Sequence, residues 1–454
     1  MTRKTLSLLL LLTTFVAGNA FATAKMTIIN VDKPGVGFND TTPAAPIGGN
    51  SGTTLGQQRM NVFLKAAEIW GAVLDSEIEI KVQASFAPNT DCTPTQGVLA
   101  FAGPARIVAN FEGAPMQNVW YPVALANKLA KRDVLTEFPD INASFNSAVG
   151  TPTCLTTRPW YLGLDHNEGK ASDLLATVLH ELGHGLGMTG VTNPDTGEMS
   201  RGFPSVFELS ALDSQTGLRW DQMSPTQRTV SALNTGRLVW GGESTRGASR
   251  AKLQAVPFLQ ITGAPGISGN YEIQQASFGT VIGPNSSFSA KLVLAVDPAD
   301  SFGAGVNDAC SPLTNLAEMR GNIALVERGP ATSADDPNAC TFIKKATNAK
   351  NAGAIAIVIF DDTRGDSECT LPPMGGDPVD LGIPAVGIRR RDGLPMRDLL
   401  RTNASALSAS IKTDSSQVLG ADANGNVRLY APCTYDPGSS IHHWDTAASP
   451  NLLM

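Results

Sequence analysis

His180-Glu181-Leu182-Gly183-His184 is the run whose residue types and spacing can do chemistry. Two histidines four positions apart project from one face of an α-helix, so both imidazoles can reach a single metal ion. Glu181 lies one step round the helix, beside a remaining coordination position. Zinc held by neutral nitrogens lowers the pKa of a bound water to about 7. Glu181 is then placed to take that water's proton and to pass it to a leaving nitrogen. A bare H-E-x-x-H arises by chance in roughly one chain in a hundred at average composition. Context argues against chance here, because two of only five histidines in the chain fall in this run. The expected chemistry is zinc-assisted hydrolysis with metal ligands His180 and His184 and the general base Glu181.

Such a motif needs a helix. Leu174, Leu175, Val178, Leu179, Leu182 and Leu186 recur at helical spacing, Ser172 is a candidate N-cap, and Gly187 is a candidate stop. The reading is therefore a helix over Asp173–Gly187. Upstream, Met26–Val31 reads as a strand and 32–56 as a long Gly/Pro/Asn-rich loop that could form a flap near the cleft. Gln57–Leu74 then has helical periodicity, and Ile78 to Phe86 alternate like a half-buried strand. Tyr121–Lys131 reads as a helix and Ile141–Phe145 as a strand. This mixture predicts an α+β catalytic region.

A second texture begins near Val256. Ala290–Val296 and Asn322–Val326 read as strands, Thr341–Lys350 as a helix, and Ala354–Phe360 as a strand buried on both faces. A strand at 382–388 and a helix at Leu394–Leu400 complete it. This block contains no histidine and no catalytic constellation. Beyond it, Leu419–Leu429 carries an Asn424-Gly425 turn signal. Asp422-Ala423-Asn424 has too few carboxylates for a calcium loop.

Length, 454 residues, predicts two or three domains. A net charge of −7 and a pI near 5.3 give no electrostatic footprint for nucleic acid. Arg389-Arg390-Arg391 reads as a solvated turn. Residues 1–24 have the charged start, short apolar run and small-residue cleavage site of a secretory signal, with no stable membrane insertion afterwards. The six cysteines of an exported chain then predict three disulfides, Cys92–Cys154, Cys310–Cys340 and Cys369–Cys433.

A catalytic zinc takes three protein ligands, and the position six residues after His184, where the commonest extended motif has its third histidine, is Gly190. His166, His442, His443 and Glu208 are the candidates that remain. At this point the residues resemble a known family. His180-Glu181-x-x-His184-x-x-Gly187, followed after a long insertion by His443-Trp444 and Met454, is similar to the leishmanolysin branch of the metzincin zinc proteases. That resemblance implies His443 as the third metal ligand, Met454 as the methionine of the turn beneath the zinc, and a catalytic domain that continues past it. Residues 413–454 are thus expected to be either a truncated end or the end of a minimal variant. Separately, 321–329, Cys340–Lys345 and 349–354 resemble the protease-associated (PA) domain. The expected organisation is a discontinuous metzincin-like domain over 25–255 and 413–454, interrupted by an α/β PA domain over 256–412. The implied function is a secreted zinc endopeptidase acting on proteins or peptides. The alternative is a non-catalytic secreted binding protein that retains the zinc site and grips a partner through its PA domain.

Overall fold

A computed structural model describes residues 23–88, 92–284, 286–299, 305–329, 340–361 and 371–454. All but the last two residues of the expected signal, and Cys369, lie outside the described residues. The chain folds as two compact units, one of residues up to 117 with 121–186, the other of 118–120 with 187–454.

In the first unit a four-stranded sheet is built from β1 (Met26–Asn30), β2 (Ile80–Ala87), β3 (Ala100–Pro104) and β4 (Ile141–Asn146). The strand order is β1-β2-β4-β3, with β1, β2 and β4 parallel and β3 antiparallel at the edge. Alternation along β2 puts Ile80, Val82, Ala84 and Phe86 into the core. Helix α1 (Leu55–Val73) starts where the Thr54 side chain accepts a hydrogen bond from the Gln57 N–H, two residues before the sequence reading placed it. Phe63 of α1 meets Phe38 and Phe145 edge-on, each at 4.8 Å between ring centroids. Burying a side chain of this size contributes about 1.5–3 kcal/mol. The long loop is anchored rather than loose, since the Asp32 carboxylate accepts from the Phe38 and Phe86 N–H groups. Helix α2 (Leu174–Leu186) packs into the same core through Leu174, Leu175, Val178 and Leu182. A Cys92–Cys154 disulfide ties the far loops.

The second unit holds an eight-stranded mixed sheet. Its elements are β5 (Ala255–Thr262), β6 (Gly269–Glu272), β7 (Gln274–Gln275), β8 (Phe288–Leu294), β9 (Ile323–Glu327), helix α3 (Phe342–Asn351), β10 (Ala356–Phe360), β11 (Ala385–Ile388), helix α4 (Arg390–Thr402) and β12 (Ser408–Val418). The strand order is β6-β5-β12-β8-β9-β10-β11-β7, parallel from β8 to β11. All five residues of β10 are buried. Ile357 and Ile359 pack with Ala346 and Ala349 of α3, while Val358 and Phe360 pack with Met396 and Leu400 of α4. One helix per face explains the unbroken apolar run. Cys310–Cys340 closes a loop beside α3.

The chain leaving β12 returns to the segment that precedes β5. Trp240 donates its backbone N–H to the Val427 carbonyl and Leu429 donates to Leu238, at 2.7 and 3.0 Å. Leu429, Ala431 and Ile441 share a core with Phe207, Trp220 and Leu238. The sheet thus emerges between two stretches that pack on each other. The arginine run departs from the expected solvated turn, because the half-buried Arg389 pairs with Glu272 at 2.7 Å and Arg390 opens α4. The Glu272 carboxylate also takes Arg428 at 2.8 Å. At 422–426 the Asp422 carboxylate accepts from the Asn424 and Asn426 N–H groups, and Gly425 supplies a positive φ of 83°, so this is a turn.

Candidate metal centre

Helix α2 carries the motif, and Asp173 fixes where it starts. Its carboxylate accepts from the Ala176 N–H at 3.2 Å, and the Thr177 hydroxyl donates to its carbonyl at 2.8 Å. This corrects the expected Ser172 cap: Ser172 and Asp173 pair with Trp160 and Tyr161 as a short parallel strand. An aspartate here also suits the positive end of the helix dipole. The helix ends at Leu186, and Gly187 follows at φ 130°, a geometry side chains rarely adopt.

Close packing sets the helix against the sheet. A Cβ on Gly185 would lie 2.4 Å from Ile141 Cγ2 of β4, so only glycine permits this approach. The Trp70 indole N–H of α1 donates to the Leu179 carbonyl at 3.0 Å. On the face so presented, the His180 and His184 rings stand 4.9 Å apart between centroids, at 83°. Glu181 between them is only 8 % exposed. Burial raises its pKa to about 7, although the Ala102 N–H of β3 donates to the carboxylate and works in the opposite direction. A carboxyl group titrating near neutrality can both accept and return a proton there.

In the second unit, His443 donates from Nδ1 to the Ser439 carbonyl at 2.8 Å, and its own carbonyl accepts from the Tyr430 N–H at 2.8 Å. With the proton on Nδ1, the lone pair is on Nε2, the tautomer that a metal-ligating histidine uses. Trp444 donates its backbone N–H to the Met454 carbonyl at 3.2 Å, so the structure brings Met454 back beside the residue that follows His443.

The other candidates are engaged elsewhere. His166 Nδ1 pairs with the Asp173 carboxylate at the start of α2, about 10 Å along the helix axis from His180 at 1.5 Å per residue. The Glu208 carboxylate is buried and accepts from the Val191, Thr192 and Ser205 N–H groups at 2.9, 2.8 and 2.7 Å. The His442 ring packs edge-on against Phe207, and burial lowers its pKa to about 4. Sequence reasoning missed the contribution of β3, whose Ala-Phe-Ala-Gly-Pro run has no strand signature, and the amide cradle of Glu208, which no local pattern announces.

Residues 288–396 match the family model described as PA domain. A 100-residue stretch is 35 % identical to the human ER degradation-enhancing alpha-mannosidase-like protein 3, covering 21 % of this chain and 10 % of that protein. A 131-residue stretch is 30 % identical to the protein of the same name from Xenopus laevis, covering 28 % and 12 %. A 124-residue stretch is 30 % identical to aminopeptidase YwaD of Bacillus subtilis, covering 26 % and 24 %. Among solved structures, BSAP, a zinc aminopeptidase from Bacillus subtilis, aligns over 38 % of this chain and 37 % of that one, at 22 % identity and a TM-score of 0.22. The chain thus spans between about a tenth and a quarter of the length of the relatives named here. Among the described residues no helix is long and apolar enough to cross a membrane. The chain has a mixed α/β fold and carries a PA domain at 288–396.

Proposed function

We propose that this chain is a secreted zinc-dependent endopeptidase of the leishmanolysin-like metzincin type, with His180, His184 and His443 as metal ligands and Glu181 as the proton-transfer residue. The catalytic domain would comprise 25–255 and 413–454, with the PA domain inserted at 256–412. One observation carries the reading: Glu181, only 8 % exposed, sits on the helix between two histidines whose rings stand 4.9 Å apart and are spaced to share a metal ion. A structural zinc has no use for such a group.

The residues fit the ion. Three neutral imidazoles are a usual donor set for catalytic zinc, and the Ser439 carbonyl already fixes the His443 tautomer. Bound there, zinc would supply the Lewis acidity that brings the pKa of water into the neutral range. Glu181 takes a proton from the attacking water and hands it to the leaving amide nitrogen. The Ala102 N–H holds the carboxylate in place for that transfer. Met454 would form the turn below the ligands. Proteins or peptides are the substrates.

The test is zinc content of the purified protein together with hydrolysis of a broad peptide mixture, with and without chelator. The proposal expects bound zinc and chelator-sensitive cleavage. Bound zinc without cleavage would favour the non-catalytic binding protein, and absence of zinc would refute both.

A further inference from the structure

Gly190 stands where a third histidine is most often found, and its surroundings show what occupies the space instead. A Cβ built on Gly190 would lie 2.8 Å from Glu208 Oε1 and 2.9 Å from His442 Nε2. Both side chains therefore close on the glycine from different parts of the chain. Glu208 is 1 % exposed, and its two oxygens accept three backbone N–H groups, two from Val191 and Thr192 and one from Ser205. A buried carboxylate is stable only when its lone pairs are so matched. The Ser205 hydroxyl closes the loop by accepting from the Glu208 N–H at 3.2 Å. His442 rests on the neighbouring Phe207, with ring centroids 5.8 Å apart. Glu208 thus joins segments 190–192 and 205–208 into one surface against which His442 is seated, and His443 is the next residue.

We infer that Glu208 is a positioning residue for His443, acting by seating His442 against Gly190 and so fixing the direction of the His443 imidazole. It rests on the zinc reading above. Gly190 is required for the same reason: any side chain there would push Glu208 and His442 apart. Supporting groups of this kind are worth about 10–100-fold in metal affinity.

Cobalt(II) and zinc titrations of the wild-type chain, Glu208→Gln and Gly190→Ala test this, with circular dichroism as a check on folding. Glutamine keeps the size of the side chain but presents an NH2 group to amide donors. Alanine at 190 keeps the Glu208 carboxylate itself and tests the effect of crowding Glu208 Oε1 and His442 Nε2. The expected result is zinc affinity reduced about 10–100-fold in both folded variants, with a changed cobalt d–d absorption spectrum reporting altered ligand geometry. If Glu208→Gln does not fold, Gly190→Ala decides alone. Wild-type affinity and an unchanged cobalt spectrum in the folded variants would overturn the inference while leaving the zinc reading intact. A wild-type chain that binds neither metal would remove the zinc reading and this inference with it.

Discussion

Glu272 offers a prediction whose size follows from its surroundings. It lies on β6 of the eight-stranded sheet and takes Arg389 at 2.7 Å and Arg428 at 2.8 Å. Burial by itself would raise its pKa, but the two guanidinium groups prevail and hold it at about 2, against an ordinary 4.5. A drop of roughly 2.5 units at 1.36 kcal/mol per unit gives about 3 kcal/mol as an upper bound. The Glu272 side chain is 33 % exposed, so water screens the pair, and about 1–2 kcal/mol is the expected contribution. The native pKa lies below the unfolded one, so this stability is present in full above about pH 4.5 and is lost as pH falls towards 2. Glu272→Gln should therefore lower unfolding free energy at pH 7 by about 1–2 kcal/mol and flatten its decline between pH 5 and 2. Urea unfolding of both proteins at pH 7, 4 and 2.5 measures this, and the difference should shrink at the lowest pH. Equal stability at pH 7, or a difference that grows in acid, would refute the reasoning.

Gly185→Ala should destabilise the first unit by about 1–3 kcal/mol despite alanine's helix preference, because its Cβ would meet Ile141 at 2.4 Å; a rise in thermal midpoint would contradict this. Removing the Cys92–Cys154 bridge, whose ends are 62 residues apart, should cost about 2–4 kcal/mol in urea unfolding, and no loss would show that the reduced chain is already restrained. His180→Ala, His184→Ala and His443→Ala should each lose zinc, whereas His442→Ala should retain it with affinity reduced at most about 10–100-fold. Metal analysis giving normal zinc in the His443 variant and none in the His442 variant would reverse that assignment.

Periodicity revealed the elements that bury one continuous face. The apolar spacing around His180 marks α2, and the unbroken run at 354–360 marks β10, because each pattern is the burial pattern itself. Disulfides Cys92–Cys154 and Cys310–Cys340 followed from grouping neighbours by region. What escaped depended on partners distant in sequence. β3 is a short edge strand with Gly103 and Pro104 in its run, held by β4 and lying against α2, so nothing within 100–104 announces it. The cap of α2 falls on Asp173 rather than Ser172, because the Asp173 carboxylate accepts from the Ala176 N–H while the Ser172 hydroxyl donates to the Arg158 carbonyl. Arg389 looked solvated until a carboxylate from β6, more than a hundred residues earlier, was placed beside it. Glu208 was one of four open candidates for a ligand, and only the three amides it accepts reveal its different task.

The central claim is that Glu181 moves the proton during hydrolysis. Glu181→Gln keeps the size and the contact with Ala102 but cannot accept a proton at neutral pH. Zinc content, thermal midpoint and peptide hydrolysis should be measured side by side in wild type and variant. The account predicts unchanged zinc, a near-unchanged midpoint, and hydrolysis reduced by at least about 10²–10⁴-fold. Hydrolysis that persists undiminished in the zinc-loaded variant would contradict it.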